Sequence, residues 1–505
     1  MKWLTRITYI YLALPFVVFC MGWLRLTIAI PIAALVVLIL WKLFKQSFPY
    51  QFTSHFPRET FYLLLCTGVW VFLSGVGGYA FQNWDHHWRN AVLRDLINYN
   101  WPVVYASPES GPIKMLVYYV GYWLPAALAG KIFGWHAANF ILFLWTWLGI
   151  LLVALQLSLK LKTSALKAVL LLVFFSGMDA LGTLLVAQEY PSLWPPIQHL
   201  EIWSGSLQYS SFTTQLFWVF NQAVPAWLCI VLILESNGLM LDGQERAAST
   251  QISPKIFIWS LCFFLAPIAS IGLLPYLLLE WFKQTDFKLP FKNLRLDLLF
   301  ASGIIFLVSY IFFSSNSAAQ ERGLQSLAAK DFLQFFLLDG GILWLLLAPV
   351  KWRDPRWVLT GLLLLGLPFI QFGSGRDFVM RASIAPLISL MVMTGEVIFQ
   401  NITSRFYRTA LAAVLFVGAL TPLYEIDRSL YRSIGYYFVL DADQRAQPPL
   451  GPVTHLEQGV APEAEHPNTL TADDIQTLEF MNDKLSKNFI ANVRKSLYYQ
   501  FLSPR

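Results

Sequence analysis

One short stretch, residues 83–90 with the sequence NWDHHWRN, concentrates the side chains most able to do chemistry. It places Asp85, His86, His87 and Arg89 directly after an apolar segment, in a chain that is only 13% charged. A carboxylate held there could act as a general base, which must reach the proton that it removes. A planar guanidinium suits phosphate recognition. The stretch therefore indicates acid–base chemistry on a lipid-linked substrate, and the alternative is a solvated Asp85–Arg89 helix pair.

A second charged stretch, residues 373–381 with the sequence GSGRDFVMR, borders another apolar segment. Arg376, Asp377 and Arg381 could clamp a lipid phosphate or pyrophosphate, whose charge must be neutralised as it leaves. The two arginines are five positions apart, so a kink or loop at Gly375 is needed to aim both inward. The alternative is a local Arg376–Asp377 pair, with Arg381 extending to lipid headgroups.

Segment 188–211 is long, aromatic and acidic. Its rings could line a sugar site, with Glu189 or His199 contacting the sugar or the acceptor, or they could form an aromatic belt at the membrane interface. Asp179 and Asn221 lie inside apolar segments. A buried acid in a span has either a functional role or a polar partner, and an amide there is expected to bond one helix to another.

The composition indicates that membrane helices position these residues. The chain of 505 residues is 56% hydrophobic and 16% aromatic, with a mean hydropathy of +0.54. A soluble chain carries about a quarter charged residues, roughly twice the fraction found here. Apolar segments of about 20 residues, the length needed to span a bilayer, lie near 7–24, 26–44, 60–80, 114–133, 136–158, 165–187, 212–235, 256–282, 297–314, 332–350, 356–373, 378–399 and 407–424. We expect an all-α, polytopic transmembrane helical bundle of about 11–13 spans.

Three regions are expected along the chain. Residues 1–58 form an N-terminal transmembrane hairpin, and residues 59–424 form the main transmembrane domain with an outer loop at 81–113. Residues 425–505 form an extramembrane C-terminal tail. Within the tail, we expect an extended linker followed by an amphipathic helix that begins near Thr471, where a capping residue precedes two acids.

The distribution of Lys and Arg predicts the orientation of the spans. The basic N-terminus lies inside, so that the loop 81–113 lies outside. Lys160 would then fall on the wrong side of the membrane, unless either 114–133 or 136–158 does not cross fully. We therefore expect one of these two segments to lie along the surface or to re-enter.

To restore the later topology, segment 256–282 must return to the side from which it enters. Pro267 and Pro275 flank Gly272 in this segment. Such a sequence could break into two half-helices, which a membrane protein tolerates where protein surrounds the break.

Residues 84–98 have the periodicity of an amphipathic helix that ends before Trp101-Pro102. We expect this helix to lie flat at the membrane interface, with its tryptophans among the headgroups. The segment 116–125 (LVYYVGYWLP) follows, and then KIFG at 131–134.

This order of a span, an outer loop opening with an acid, interfacial helices and a Tyr-Tyr/Pro segment resembles the GT-C class of integral-membrane glycosyltransferases. By position, the resemblance makes Asp85 the catalytic acid. Two features differ from that class. Its usual pair of acids is here a single Asp followed by His86 and His87, and the loop follows the third apolar segment and not the first.

The resemblance implies a multi-pass enzyme of the bacterial inner membrane that acts on the outer face, surrounded by membrane lipids. The donor would be a polyprenyl-phosphate-linked sugar, and the acceptor a lipid-linked or surface glycan. A lipid-linked sugar transporter or flippase and a glycan polymerase or ligase are the alternatives. The implied roles are Asp85 as base, His86, His87 and Arg89 in shaping the site and binding the substrate, Arg376, Asp377 and Arg381 at the phosphate, and Glu189 and His199 at the sugar or acceptor.

Several other kinds of site lack their motif. The four cysteines all lie in apolar segments without metal-ligand spacing, so neither disulfides nor structural zinc are expected. There is no P-loop, Rossmann glycine pattern or HExxH sequence. We expect no cofactor, with a divalent cation near Asp85 and Glu189 as the weaker alternative. The net charge of +6 is scattered between apolar segments, which argues against nucleic acid as a partner.

Overall fold

The computed structural model describes residues 2–45, 57–83, 85–105, 113–205, 207–234, 252–284, 294–316, 322–373, 377–400, 403–438 and 488–504. The linker and the capped helix expected beyond residue 440 lie outside the described residues.

Most of the described chain is helical, because long apolar runs in a membrane must satisfy their backbone groups internally. In chain order the elements are α1 (Lys2–Trp23), α2 (Leu26–Lys45), α3 (Pro57–Leu73), α4 (Asp85–Asn98), β1 (Val104–Tyr105), β2 (Lys114–Leu116), α5 (Leu124–Phe133), α6 (Trp135–Leu161), α7 (Ala165–Phe174), α8 (Asp179–Leu181), α9 (Phe212–Ile233), α10 (Ile252–Leu265), α11 (Pro267–Gln284), α12 (Leu296–Phe313), β3 (Arg322–Leu324), α13 (Ala329–Phe336), α14 (Ile342–Lys351), α15 (Pro355–Gly366), β4 (Ile370–Phe372), α16 (Asp377–Ala382), α17 (Ile384–Phe399), α18 (Arg405–Gly418), α19 (Leu420–Phe438), β5 (Ile490–Asn492) and α20 (Leu497–Phe501). Turns of π-helix at Gly182–Val186 and Leu337–Gly341 follow α8 and α13.

Nine helical segments in the described residues are long and apolar enough to cross a membrane. They are Trp3–Trp23, Leu26–Lys45, Trp135–Leu161, Ala165–Val186, Phe212–Ile233, Leu296–Phe313, Ala329–Lys351, Asp377–Phe399 and Arg405–Gly435. The expected all-α, multi-pass architecture is confirmed. The number is below 11 in part because α3 and α15 are short, with 17 and 12 residues. Helix α9 and the segment formed by α16 and α17 are the most deeply buried, since 89% of the residues in the most apolar stretch of each are buried, so they form the centre of the bundle.

Helix α5 explains the unusual position of Lys160. It has 10 residues, so it extends about 15 Å and falls short of the roughly 30 Å apolar core of a bilayer. Helix α6 has 27 residues and is long enough to cross. Of the two segments in question, 114–133 is therefore the one that does not span.

Helices α10 and α11 form a hairpin, as expected for segment 256–282. The Lys255 Nζ near the start of α10 lies 2.8 Å from the Glu280 Oε2 near the end of α11, so the two helices run antiparallel. The break lies directly before Pro267, one of the two prolines that the sequence indicated. The chain turns at Ala266, and Pro275 lies inside α11. Pro267 begins α11, where a proline needs no hydrogen-bond donor.

Ion pairs and hydrogen bonds gather the ends of several helices at one end of the bundle, which we call the basic end. The Lys42 Nζ at the end of α2 lies 3.1 Å from the Asp297 Oδ2 at the start of α12. Lys160, at the end of α6, donates to the Leu234 carbonyl just after α9. The opposite end, which contains the α1–α2 turn and the loop between α3 and α5, is called the site end.

Two small sheets lie at the loops. Strands β1, β2 and β5 form an antiparallel three-stranded sheet, and β3 pairs with β4. Strand β5 belongs to residues 488–504, which we call the C-terminal strap. The expected boundary of the transmembrane domain at residue 424 falls inside a helix, because α19 continues to Phe438.

Candidate carboxylate–arginine site

Helix α4 presents Asp85 and Arg89 one turn apart. The Asn83 Oδ1 accepts a hydrogen bond from the backbone N–H of Asp85 at 3.1 Å, which caps the helix at this point. The Arg89 Nη2 donates to the Asp85 Oδ2 at 2.9 Å, and its Nε donates to the Asn221 Oδ1 of α9 at 3.3 Å. The guanidinium also lies 5.7 Å from the ring centre of Phe220. The pair is therefore held against the central helix, unlike a solvated surface pair.

The expectation that the tryptophans of α4 lie among headgroups was wrong for Trp88, and Trp84 lies outside the described residues. Trp88 is buried and stacks on Phe489 of the C-terminal strap, with 5.8 Å between ring centres. Ala91, Val92 and Leu96 are fully buried. The apolar face of α4 is covered by other parts of the protein, so this helix is an internal support of the site.

His86 supports α4 and does not face a ligand. It is buried, and its Nε2 lies 3.1 Å from the Phe217 carbonyl oxygen of α9. Its Nδ1 lies 3.4 Å from the Gln82 Nε2, and its ring stacks on Phe220. This finding corrects the expectation that His86 contacts substrate, because both ring nitrogens face protein groups. The side chain of His87 lies outside the described residues.

The second charged stretch contributes Asp377 and Arg381, one turn apart on α16. The Arg381 Nη2 lies 3.1 Å from the Asp377 Oδ1, and its Nη1 donates to the Tyr119 hydroxyl at 2.7 Å. Arg376 lies outside the described residues.

The two pairs lie close enough to influence one another. Asp85 acts electrostatically on both Asp377 and Arg381. Tyr118 is within electrostatic range of both arginines. Burial raises the pKa of its hydroxyl well above the ordinary value, and Arg381 and Arg89 both oppose that rise. We call Asp85, Arg89, Asp377 and Arg381 the carboxylate–arginine site.

Within this site the carboxylates are accessible and the arginines are buried. The side chains of Asp85 and Asp377 are 34% and 32% exposed, whereas those of Arg89 and Arg381 are 5% and 7% exposed. The Arg89 Nη1 and the Arg381 Nε are buried nitrogens that have no hydrogen-bond partner among the described residues. A buried donor left unsatisfied costs about 1–3 kcal/mol. An anionic ligand oxygen could satisfy these donors.

An apolar groove leads to this site from between helices α10, α11 and α12. Its cavity volume is about 420 Å³, within the usual range for ligand pockets. Aromatic side chains, among them Trp259, Phe263 and Phe306, form much of its wall. The charged residues of its lining, Asp377 and Arg381, both belong to the carboxylate–arginine site. The groove is thus apolar along most of its wall and charged where Asp377 and Arg381 line it.

The residues predicted on segment 188–211 have different surroundings. Glu189 is exposed. The His199 Nδ1 lies 3.2 Å from the Glu425 Oε2 of α19, and its ring packs on Trp218. Burial alone would lower the pKa of His199, but Glu425 outweighs burial and raises that pKa above its ordinary value. Arg428 also binds Glu425, so His199 belongs to an ion-pair network that ties the loop to α19.

Asp179 has buried acidic neighbours that the sequence did not single out together. Asp179, Glu201 and Asp339 are all at most 2% exposed. The Trp203 Nε1 donates to the Asp179 Oδ1 at 3.2 Å, and the Tyr209 N–H donates to the Asp339 Oδ2 at 3.4 Å. Trp203 thus gives Asp179 a polar partner in loop 188–211, and Tyr209 gives Asp339 one. Asp339 lies in a π-helical turn, a local geometry found often at functional sites.

Three further contributors to the site carry weak sequence signals. Tyr119 belongs to the Tyr-Tyr segment, which the sequence indicates only through the resemblance. Asn221 is expected to bond one helix to another, and in the structure it binds Arg89. The contribution of Phe489 has no local signal, because it depends on pairing with a strand far away in the sequence.

The described residues hold no group of three or more His, Cys, Asp or Glu side chains arranged to bind a metal ion. No protein-family model, curated protein or solved structure matches this chain.

Proposed function

We propose that this protein is a membrane glycosyltransferase of GT-C type, which transfers a sugar from a polyprenyl-phosphate donor to a lipid-linked or surface glycan at the outer face of a bacterial inner membrane. The observation that carries the proposal is the apolar groove whose charged end is formed by accessible Asp377 and buried Arg381, with the Asp85–Arg89 pair in the same cluster.

The groove suits the lipid part of such a donor. An isoprenoid chain is apolar and branched, and it would lie against aromatic rings such as Phe263 and Phe306. Its phosphate would then reach Arg381 at the charged end of the groove. The unpartnered Nε of Arg381 offers a donor to a phosphate oxygen.

The two carboxylates fit the transfer step. Asp85 would accept the proton from an acceptor hydroxyl as that oxygen forms a bond to the anomeric carbon of the sugar. The bond between this carbon and the phosphate oxygen breaks, and its electron pair stays on the departing phosphate. Arg381 and Arg89 would stabilise the negative charge that develops there. Asp377 supplies the second acid that the sequence lacks next to Asp85.

The distribution of charge along the groove favours an enzyme over a transporter. A transporter for a charged headgroup is expected to carry polar or ionisable groups near the middle of the membrane. Here the wall between α10, α11 and α12 is apolar, and both charged lining residues, Asp377 and Arg381, lie at one end. A glycan polymerase or ligase would use related donor chemistry, and the length of the transferred glycan separates it from the proposed enzyme.

Replacement of Asp85 by Asn tests the proposal. Loss of a general base lowers the rate of transfer by about 100-fold to 10,000-fold. Lipid-linked glycans from cells carrying the variant as their only copy should therefore lack the product, as measured by mass spectrometry. Asp297→Asn is a matched control, because Asp297 is 30% exposed and is also paired with an arginine, but lies at the basic end. An unchanged glycan profile with a stably folded Asp85→Asn chain would exclude catalysis by Asp85.

A further inference from the structure

The C-terminal strap crosses the wall of the proposed site. Strand β5 pairs antiparallel with β2, with Ile490 opposite Leu116. The Val117 N–H donates to the Phe489 carbonyl at 2.8 Å, which continues the pairing toward the Tyr-Tyr segment. The strap therefore lies beside β2 and continues alongside the chain as far as Val117, the residue before Tyr118.

Phe489 connects the strap to the arginine at the end of the groove. Its ring lies 4.5 Å from that of Tyr118, centre to centre, and Tyr118 lies 3.7 Å from Tyr119. The Tyr119 hydroxyl accepts the hydrogen bond from Arg381. The contacts thus run through three aromatic rings, from Phe489 through Tyr118 to Tyr119, and end at the Arg381 guanidinium.

The strap also forms part of the groove itself. Asn488 is among the lining residues of the groove. The Asn316 Nδ2, at the end of α12, donates to the carbonyl oxygens of Asn488 and Val117 at 2.9 and 2.7 Å. The mouth of the groove is therefore closed on one side by the strap.

The far end of the strap is anchored at the α1–α2 turn. Tyr498 is fully buried, and its hydroxyl donates to the Trp23 carbonyl at 2.6 Å. Arg25 donates to the carbonyls of Gln500 and Ser503 at 2.8 and 3.0 Å. An anchored segment can hold Phe489 in a fixed position, whereas a loosely attached one could not.

We propose that the strap is a component of the substrate site, in which Phe489 acts as a positioning residue that holds Tyr118, Tyr119 and Arg381 in place for the phosphate of the lipid. This inference rests on the proposed function, since it assigns the phosphate to Arg381. The strap then selects for phosphorylated lipid without contacting the phosphate.

The test compares the binding of geranylgeranyl phosphate and geranylgeraniol to the full chain in detergent, followed by tryptophan fluorescence because Trp259 lines the groove. Wild type should prefer the phosphate. Phe489→Ala should lower that preference by roughly two- to tenfold, the value of one aromatic pair. Binding of the alcohol should be retained, and Phe489→Tyr should restore the preference. Phe501→Ala is the matched control, since Phe501 lies on the same strap and is 62% exposed.

The outcomes separate the two proposals. A wild-type chain that binds both lipids equally would overturn the phosphate site, and this inference with it. In a second case, wild type prefers the phosphate while Phe489→Ala keeps the same preference or weakens the binding of both lipids equally. Either result overturns only the positioning role of Phe489. Thermal unfolding of each variant shows that binding is measured on folded protein.

Discussion

Gly272 should be among the least replaceable residues near the site. It lies on α11 and faces the backbone of Ala382, the residue after Arg381. A Cβ at position 272 would lie 1.9 Å from the Ala382 carbonyl oxygen, whereas ordinary contact begins at 3.4 Å. The two helices would have to separate by about 1.5 Å to accept an alanine, because a packed interior does not deform easily.

We expect Gly272→Ala to affect both stability and the site. Forcing an extra carbon into a well-packed interior costs about 1–3 kcal/mol. Because α16 carries Asp377 and Arg381, its displacement also moves the charged end of the groove. A misplacement of about 1 Å can lower catalytic rates by about 100-fold. Lipid-linked glycan profiling, thermal unfolding in detergent and the preference for geranylgeranyl phosphate over geranylgeraniol measure these effects.

Gly303→Ala provides the comparison. Gly303 lies on α12, and a Cβ there would meet no atom within 4 Å. Its replacement should leave the binding preference unchanged and could stabilise the helix by up to about 1 kcal/mol. If Gly272→Ala and Gly303→Ala unfold at the same temperature and bind both lipids alike, the reasoning from the α11–α16 contact is refuted.

Two further results are expected. Glu396→Gln should destabilise the basic end by about 3–5 kcal/mol, because buried Arg356 donates to both oxygens of Glu396 at 3.1 Å and Lys351 binds the same carboxylate. Thermal unfolding should show this loss of stability, and the preference for phosphorylated lipid should stay unchanged. A variant as stable as wild type would contradict this expectation. Glu425 raises the pKa of His199 above its ordinary value of 6.5, so the ion pair between them stabilises the fold. This contribution is fully present when the pH is below 6.5, and it is lost as the pH rises through the raised pKa. The difference in melting temperature between wild type and His199→Gln should therefore shrink with increasing pH, and a constant difference would exclude this account.

Local patterns in the sequence predicted features that depend on local physics. Helix α4 follows from its periodicity, whereas the hydrogen bond that Asn83 accepts at its start became visible only in the structure. Charge distribution predicted that either 114–133 or 136–158 does not cross, and the prolines predicted the α10–α11 hairpin, because both limit how a chain crosses a bilayer. The length of α5 decides between the two segments. The break at Ala266 directly precedes Pro267, but the sequence did not show which of the two prolines would mark it.

Features set by distant contacts could not be predicted in the same way. Periodicity identified the buried face of α4, but it could not distinguish lipid from the strap as the partner of Trp88. Nor could it show which acid would stand beside Asp85, because Asp377 approaches through the packing of α16. The His86 ring was assigned to substrate on residue type alone, whereas its bonds to α9 depend on tertiary structure.

The pairing of β5 with β2 has a consequence for biosynthesis. Translation proceeds from the N-terminus, so Asp85 and Tyr118 emerge from the ribosome long before Arg381, and Arg381 before Phe489. A nascent chain therefore has one carboxylate of the site in place while the guanidinium beside the groove and the wall at its mouth are still unmade. Under the proposed function, a partly synthesised protein should for this reason be unable to bind a polyprenyl-phosphate lipid, and unfinished copies would not deplete the supply of that lipid in the membrane.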